Sequence, residues 1–196
     1  MIRSIMIIRC VALLLLAVLP VMVTTSLMAG QSKPVSGFRA EYLIQIDDVQ
    51  KKLVDLANAF PAEKYVWRPG EGVRSVSEVF VHISSTNFLI PTLTGVKAPE
   101  GLNGDMEKTV TEKGKVIAMV KRSFEHLRKA ITGLTDKRLD EMVKMYGRQT
   151  SVRDVYFTAA THIHEHLGQL IAYARMNSIV PPWTAERQAQ QPKENK

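Results

Sequence analysis

Two histidines placed one helical turn apart are the residues of this chain best suited to chemistry. His162 and His166 lie in the stretch THIHEHLGQ, residues 161–169, within a segment whose apolar spacing predicts a helix. Side chains at i and i+4 share one face of a helix, so these two imidazoles could bind one metal ion together. His164 is rotated about 200° from His162, at about 100° per residue, and would point elsewhere. A third ligand must therefore come from another part of the chain.

The best candidate for the third ligand is His82, which lies among apolar residues in a second predicted helix. Taken alone, a buried histidine with a hydrogen-bond partner is the commoner arrangement. Together with a His-x-x-x-His pair, a metal site becomes the better explanation. Three neutral imidazoles leave coordination positions open for water or substrate, which is typical of catalytic zinc sites. Zinc is the expected ion, and nickel, iron, copper and manganese are alternatives.

Further polar residues accompany the pair on the last predicted helix. Glu165 is a candidate catalytic residue, as a general base or as a group that orients a ligand, and a surface carboxylate paired with a cation is the alternative. Gln169 could hold a ligand or substrate by hydrogen bonds, or could serve helix packing. Together with His162 and His166, these residues form a polar stripe along the helix, and such a stripe would be costly to bury without partners. A metal ion would offset that cost, whereas exposure of the stripe to solvent would avoid it.

Residues 1–30 are predicted to form a secretory signal peptide. Arg3 and Arg9 give a basic start, residues 10–23 are almost wholly apolar, and small or polar residues follow up to Gly30. This order is typical of a cleavable leader, and the apolar stretch is shorter than the roughly 20 residues that span a bilayer. A retained membrane anchor is the alternative. We therefore expect an exported protein, periplasmic or secreted, with cleavage after Ala29 or Gly30.

Cysteine usage and charge exclude several classes of function. Cys10 is the only cysteine and lies in the predicted leader, so the mature protein would have no disulfide, thiolate nucleophile or sulfur ligand. The formal charge of +7 comes from basic residues interspersed with acidic ones. No basic stripe is interleaved with aromatic residues, which argues against nucleic acid as a partner. A small-molecule substrate or ligand is the expected partner, with no stable membrane association after signal cleavage.

Four long amphipathic helices are predicted to position these residues, over about residues 38–60, 76–93, 106–131 and 151–176. Ser75 and Glu78 form a capping-box pattern at the start of the second helix. The connection between the third and fourth helices has room for one short helix at about 136–143, and no strand pattern competes. The expected fold is all-α, a four-helix bundle over residues 36–183. A polar, disordered tail is expected over residues 184–196.

The chain resembles the DinB-like (damage-inducible B, or YfiT-like) superfamily over about residues 38–183. The resemblance rests on VHI at 81–83, GLTD at 133–136, YAR at 173–175, the prolines at 181–182 and the pattern His162-x-x-x-His166-x-Gly168-Gln169. It implies a four-helix bundle with a three-histidine site for a divalent metal ion. By position, His82, His162 and His166 match those ligands. Leu167 stands where the family often has arginine, so a role of that arginine does not carry over.

The resemblance implies the site more strongly than the reaction. Characterised members include metal-dependent transferases of low-molecular-weight thiols and a mycothiol-dependent isomerase, and bundles of this family often pair as homodimers. Export argues against thiol transfer, because such thiols are kept mainly inside cells. We therefore expect a metal-dependent hydrolase or transferase acting on a small molecule. The alternatives are a noncatalytic bundle that binds a metal or small ligand, and a bundle whose histidines serve packing only.

Overall fold

The computed structural model describes residues 35–191. The predicted signal peptide and the last residues of the predicted tail lie outside this range. The described chain is mostly helical, with a single short hairpin. Its helices and strands are α1 (Gly37–Ala59), α2 (Val76–Leu89), α3 (Met106–Thr109), α4 (Lys113–Thr132), β1 (Met142–Met145), β2 (Arg148–Ser151), α5 (Val152–Met176) and α6 (Pro182–Gln190). Short 3-10 turns lie at Ala62–Lys64, Ile90–Thr94 and Asp136–Asp140.

The four long helices form a bundle. Helices α1 and α2 each pack against both α4 and α5. The Tyr173 hydroxyl near the end of α5 bonds to the carbonyl of Arg74 just before α2, and His162 lies beside His82, so α2 and α5 are antiparallel. The core is built from aliphatic and aromatic side chains, including Ile46, Leu53, Phe80, Ile83, Val120, Phe124, Leu127, Ile163 and Leu170. The four-helix bundle predicted from the sequence is observed, with a short β-hairpin that departs from the all-α expectation.

Helix α2 begins with the predicted capping box. The Ser75 hydroxyl accepts a hydrogen bond from the backbone N–H of Glu78 at 3.3 Å, and Glu78 Oε2 accepts from the backbone N–H of Ser75 at 2.7 Å. Two backbone donors that would otherwise lack helical partners are satisfied in this way. Val79, Phe80 and Ile83 are fully buried. The cap and the burial together fix the helix that carries His82.

The predicted third helix is interrupted, which corrects the expectation of one helix over 106–131. Helix α3 ends at Thr109, and α4 begins after Glu112, whose carboxylate accepts hydrogen bonds from the backbone N–H groups of Gly114 and Lys115. Residues 109–111 are Thr, Val and Thr, and such β-branched residues lose side-chain freedom in a helix. The apolar periodicity continues through this interruption, so the sequence pattern did not reveal it. The side chain of Glu112 caps the start of α4 and so marks where the new helix begins.

The connection before α5 contains a β-hairpin rather than the short helix expected at 136–143. A 3-10 turn occupies Asp136–Asp140, and β1 then pairs with β2 in antiparallel register from Met142 opposite Ser151 to Met145 opposite Arg148. The two turn residues, Tyr146 and Gly147, have φ values of 49° and 83°. A two-residue hairpin turn with both φ values positive usually carries Asn-Gly. The Tyr-Gly pair found here does not indicate a hairpin from sequence alone.

The segment after the bundle also differs from its prediction. Helix α6 extends to Gln190, so disorder from residue 184 onward is wrong for residues 184–190. Pro182 occupies the first helical position, where a missing N–H costs nothing, and the Ala, Glu, Arg and Gln residues that follow have high helix propensity. Among residues 35–191, no helix is both long enough and apolar enough to cross a membrane.

Candidate metal centre

The structure brings His82, His162 and His166 together. One ring nitrogen of each lies within 4.8 Å of the others. The Nε2 atoms of His82 and His162 are 3.1 Å apart, and the three ring centroids are separated by 4.5 to 5.0 Å. The two α5 histidines lie one turn apart, and α2 supplies the third from the antiparallel neighbour. The geometry is therefore the one that the spacing and the resemblance predicted.

The proton of His82 is fixed by a carboxylate outside the cluster. Nδ1 of His82 lies 2.8 Å from Oε1 of Glu107. Burial alone would raise the pKa of Glu107, but hydrogen bonds from Arg74 and His82 outweigh it and lower the pKa overall. An ionised carboxylate can only accept, so Nδ1 of His82 carries the hydrogen and donates it. The lone pair is then on Nε2, which faces His162.

A chain of hydrogen bonds fixes His166 in the same way. The backbone carbonyl of Arg74 can only accept, so the Tyr173 hydroxyl donates to it, at 3.1 Å. The hydroxyl must then accept from Nε2 of Gln169, at 2.8 Å, which turns Oε1 of Gln169 toward Nδ1 of His166, also at 2.8 Å. Nδ1 of His166 therefore donates its hydrogen. Nε2 is then the ring nitrogen of His166 that is available to a ligand.

His162 lacks such an outer partner. Its Nδ1 is buried and has no hydrogen-bond partner among the described residues. Burial, followed by the neighbouring rings of His166 and His82 and by Arg74, lowers the pKa of His162 to about 4. Burial also lowers the pKa of His82, which the hydrogen bond to Glu107 partly offsets. The His82 and His162 imidazoles are therefore neutral near pH 7, as metal ligands must be.

The residues present fit a divalent metal ion. Two imidazole nitrogens bound to one tetrahedral ion at about 2.0–2.1 Å would lie about 3.3–3.4 Å apart. The Nε2 atoms of His82 and His162 are 3.1 Å apart, which is hydrogen-bond distance for two rings and only slightly shorter than the separation on a shared ion. In metal sites, a ligand imidazole usually donates its other N–H to a carboxylate or carbonyl oxygen. Two of the three rings do so here, and the third ring does not.

The other sequence-predicted residues take different positions. Glu165 is exposed, and among residues 35–191 its side chain makes no hydrogen bond or ion pair. Its catalytic role stays a prediction. His164 is also exposed, and its Nδ1 donates to the carbonyl of Ala160 at 2.8 Å. The carboxylate that contacts the cluster is instead Glu107, which the sequence analysis missed because only the tertiary fold brings α3 beside His82.

A pocket opens beside the cluster. It has a volume of about 450 Å³ and lies between α2 and the segment leading into α3. His82 and Glu107 form part of its wall, and the other lining residues mix hydroxyl and amide groups with aliphatic side chains, namely Ser85, Thr86, Leu89, Leu102, Asn103, Gly104 and Met106. A pocket of this volume and composition suits a small molecule with both polar and apolar parts.

Comparison with known proteins identifies the family. The family model described as the DinB superfamily matches residues 45–170, which include all three histidines. A crystal structure of a DinB-like protein from Bacillus cereus superposes with a TM-score of 0.63 at 21% identity, covering 74% of this chain and 93% of that one. The DinB-like protein YjoA from Bacillus subtilis superposes with a TM-score of 0.57 at 22% identity, covering 70% of this chain and 92% of that one.

These two likenesses show a shared fold. No curated protein is significantly similar in sequence to this chain. The matched region spans more than half of the 196 residues and contains the four long helices in full or in large part. From the fold, the cluster and the family match together, we conclude that the chain belongs to the DinB superfamily.

Proposed function

We propose that this protein binds one divalent metal ion through His82, His162 and His166, and acts as a metal-dependent hydrolase or transferase on a small molecule outside the cytoplasm. The observation that carries the proposal is the orientation of two ligand rings. Glu107 and Gln169 each accept the Nδ1 hydrogen of one histidine, which leaves Nε2 of His82 and of His166 as the ring nitrogen available to a metal ion. Histidines buried for packing also have hydrogen-bond partners, but packing does not require one ring nitrogen of each of three histidines to lie within 4.8 Å of the others.

The chemistry follows from an incomplete ligand set. A divalent ion bound by three imidazoles supplies Lewis acidity and lowers the pKa of a bound water toward neutrality. The chain's own residues orient the ligands and shape the substrate cavity. Glu107 keeps the Nδ1 hydrogen of His82 in place, and the pocket beside it offers the hydroxyl groups of Ser85 and Thr86 next to aliphatic surface. Zinc is the ion we propose, because three histidines and a water are a familiar zinc set.

A noncatalytic metal-binding bundle is the second candidate, and one observation favours it. Both oxygens of Glu107 are engaged, one by His82 and the other by Arg74. Glu165 lies exposed, and the group of possible metal ligands among the described residues contains the three histidines and no carboxylate. The described residues therefore place no free carboxylate against the three rings, and a free general base is what hydrolysis commonly uses.

Metal binding is tested by calorimetric titration of chelator-treated protein with zinc. We expect one ion per chain, and loss of binding in His82→Ala, His162→Ala and His166→Ala. The matched control is His164→Ala, which removes an exposed imidazole from the same helix and should bind as the unchanged protein does. Equal binding by all four variants would show that the cluster is not the site and that its histidines serve packing.

Turnover separates the two candidate functions. Zinc-loaded protein and the His82→Ala variant are assayed on esters, amides and pairs of a thiol with an electrophile. Turnover that disappears in the variant and after chelation supports the enzyme. Tight zinc binding without turnover of any substrate class supports the noncatalytic bundle instead.

Export is a separate part of the proposal. It rests on the basic start, the apolar stretch and the small residues up to Gly30. Cell fractionation and N-terminal sequencing of the mature chain provide the test. A mature chain that starts close to residue 30 supports export, whereas a cytoplasmic protein with Met1 intact contradicts it.

A further inference from the structure

The segment between α2 and α4 is attached to the bundle through charged contacts beside the metal centre. Glu107 of α3 bridges two groups, with Oε1 at 2.8 Å from Nδ1 of His82 and Oε2 at 2.7 Å from Nε of Arg74. The next residue, Lys108, pairs with Glu78 of α2 at 2.7 Å. Helix α3 has only four residues, so these contacts, rather than its own backbone hydrogen bonds, hold it in place.

Glu107 therefore has two roles that share one carboxylate. It fixes the proton of a metal-ligand ring, and it anchors the segment whose Leu102, Asn103 and Met106 wall the pocket. Its side chain is 27% exposed, so the bond to His82 is partly shielded from water. A charged acceptor held in place on one side by Arg74 restricts the orientation of the His82 ring more than a mobile water would.

Resting on the metal binding proposed above, we propose that Glu107 is a positioning residue that couples the metal ion to the α3 segment. It orients His82 for the ion, and the ion in turn tightens the attachment of residues 102–110, which wall the pocket. The second effect follows from the first, because coupling between two binding events is reciprocal in free energy. Metal occupancy then regulates how firmly the pocket wall is held.

The first test compares zinc affinity, measured by competition with a chromophoric chelator. Removing an outer hydrogen-bond partner of a ligand typically costs about 10–100-fold in metal affinity. We expect a loss in this range for Glu107→Ala and a smaller loss for Glu107→Gln, which keeps an oxygen acceptor. The matched control is Asp105→Asn. Asp105 is a carboxylate of the same segment, and its side chain makes no capping hydrogen bond to α3. This variant should leave the affinity unchanged.

The second test uses hydrogen exchange of residues 102–110 with and without zinc. In the unchanged protein and in Asp105→Asn, zinc should increase protection of this segment, and in Glu107→Ala it should not. A purely structural role of Glu107 would lower protection equally in both states and leave the zinc-dependent increase intact. That pattern, or unchanged zinc affinity in both Glu107 variants, would overturn the coupling. If the unchanged protein binds no zinc, the proposed metal function itself fails, which is a separate result.

Discussion

Replacing Glu78 with glutamine is expected to destabilise the folded protein by about 2 to 3 kcal/mol at neutral pH. Glu78 closes the capping box of the helix that carries His82, and it also accepts hydrogen bonds from Lys108 of α3 and from Arg68. Although burial alone would raise the pKa of this carboxyl, these hydrogen bonds outweigh it and lower the pKa to about 2. The ionised form is therefore strongly favoured by folding.

The magnitude follows from the difference between the two pKa values. The ordinary value is 4.5 and the folded value about 2, which corresponds to about 3 kcal/mol at about 1.4 kcal/mol per pKa unit. The Glu78 side chain is 5% exposed, so water screens its carboxylate little. The Lys108 side chain is 70% exposed, so water weakens the attraction between Lys108 and Glu78. We therefore expect the lower part of the range of about 2 to 3 kcal/mol.

The effect has a defined dependence on pH. Because the folded pKa lies below the unfolded one, the stabilisation is fully present above about pH 4.5 and is lost as pH falls toward about 2. Urea unfolding of chelator-treated protein, followed by helical circular dichroism at several pH values between 7 and 3, measures this loss. The difference between the unchanged protein and Glu78→Gln should shrink steadily below about pH 5.

The control is Glu125→Gln, which breaks an exposed ion pair with Lys129 one turn away on α4. Pairs of this kind contribute little, so its unfolding curve should stay close to that of the unchanged protein at every pH. A difference between the unchanged protein and Glu78→Gln that stays constant from pH 7 to pH 3 would refute the account, because the loss would then not come from the ionised carboxylate.

Three further changes have expected outcomes. Tyr146→Asn should raise the free energy of unfolding by about 0.5 kcal/mol, because Tyr146 has a φ of 49° that asparagine tolerates better; a lowered thermal midpoint would contradict this. Ile163→Ala should cost about 2 to 5 kcal/mol in urea unfolding, because Ile163 is fully buried; a loss below about 1 kcal/mol would show a looser core. Gln169→Leu should weaken zinc binding about tenfold in a chelator competition, because His166 loses its acceptor; unchanged affinity would contradict the hydrogen-bond chain.

The long helices could be predicted from sequence because each bears a local signal. Apolar residues recur every three or four positions, and Ser75 with Glu78 marks the start of α2 in both sequence and structure. The hairpin was missed because its turn is Tyr146-Gly147 rather than the usual Asn-Gly. The break before α4 was missed because periodicity continues through it, and only the side-chain cap by Glu112 reveals it.

Of the residues that form the site, only the three histidines could be predicted from the sequence. His162 and His166 share a helix face, so their proximity follows from spacing, and His82 was placed by its apolar setting and by the family pattern. Glu107 carries no comparable signal, since its contact with His82 joins residues 25 positions apart. Such contacts depend on how helices pack, which a local pattern does not encode.

The most direct test of the metal site is a crystal structure of the zinc-soaked protein, with diffraction recorded on both sides of the zinc absorption edge. We predict one anomalous peak per chain at about 2.0–2.1 Å from a ring nitrogen of each of His82, His162 and His166. An anomalous map with no peak between these three rings, or with zinc only at exposed histidines such as His164, would contradict it.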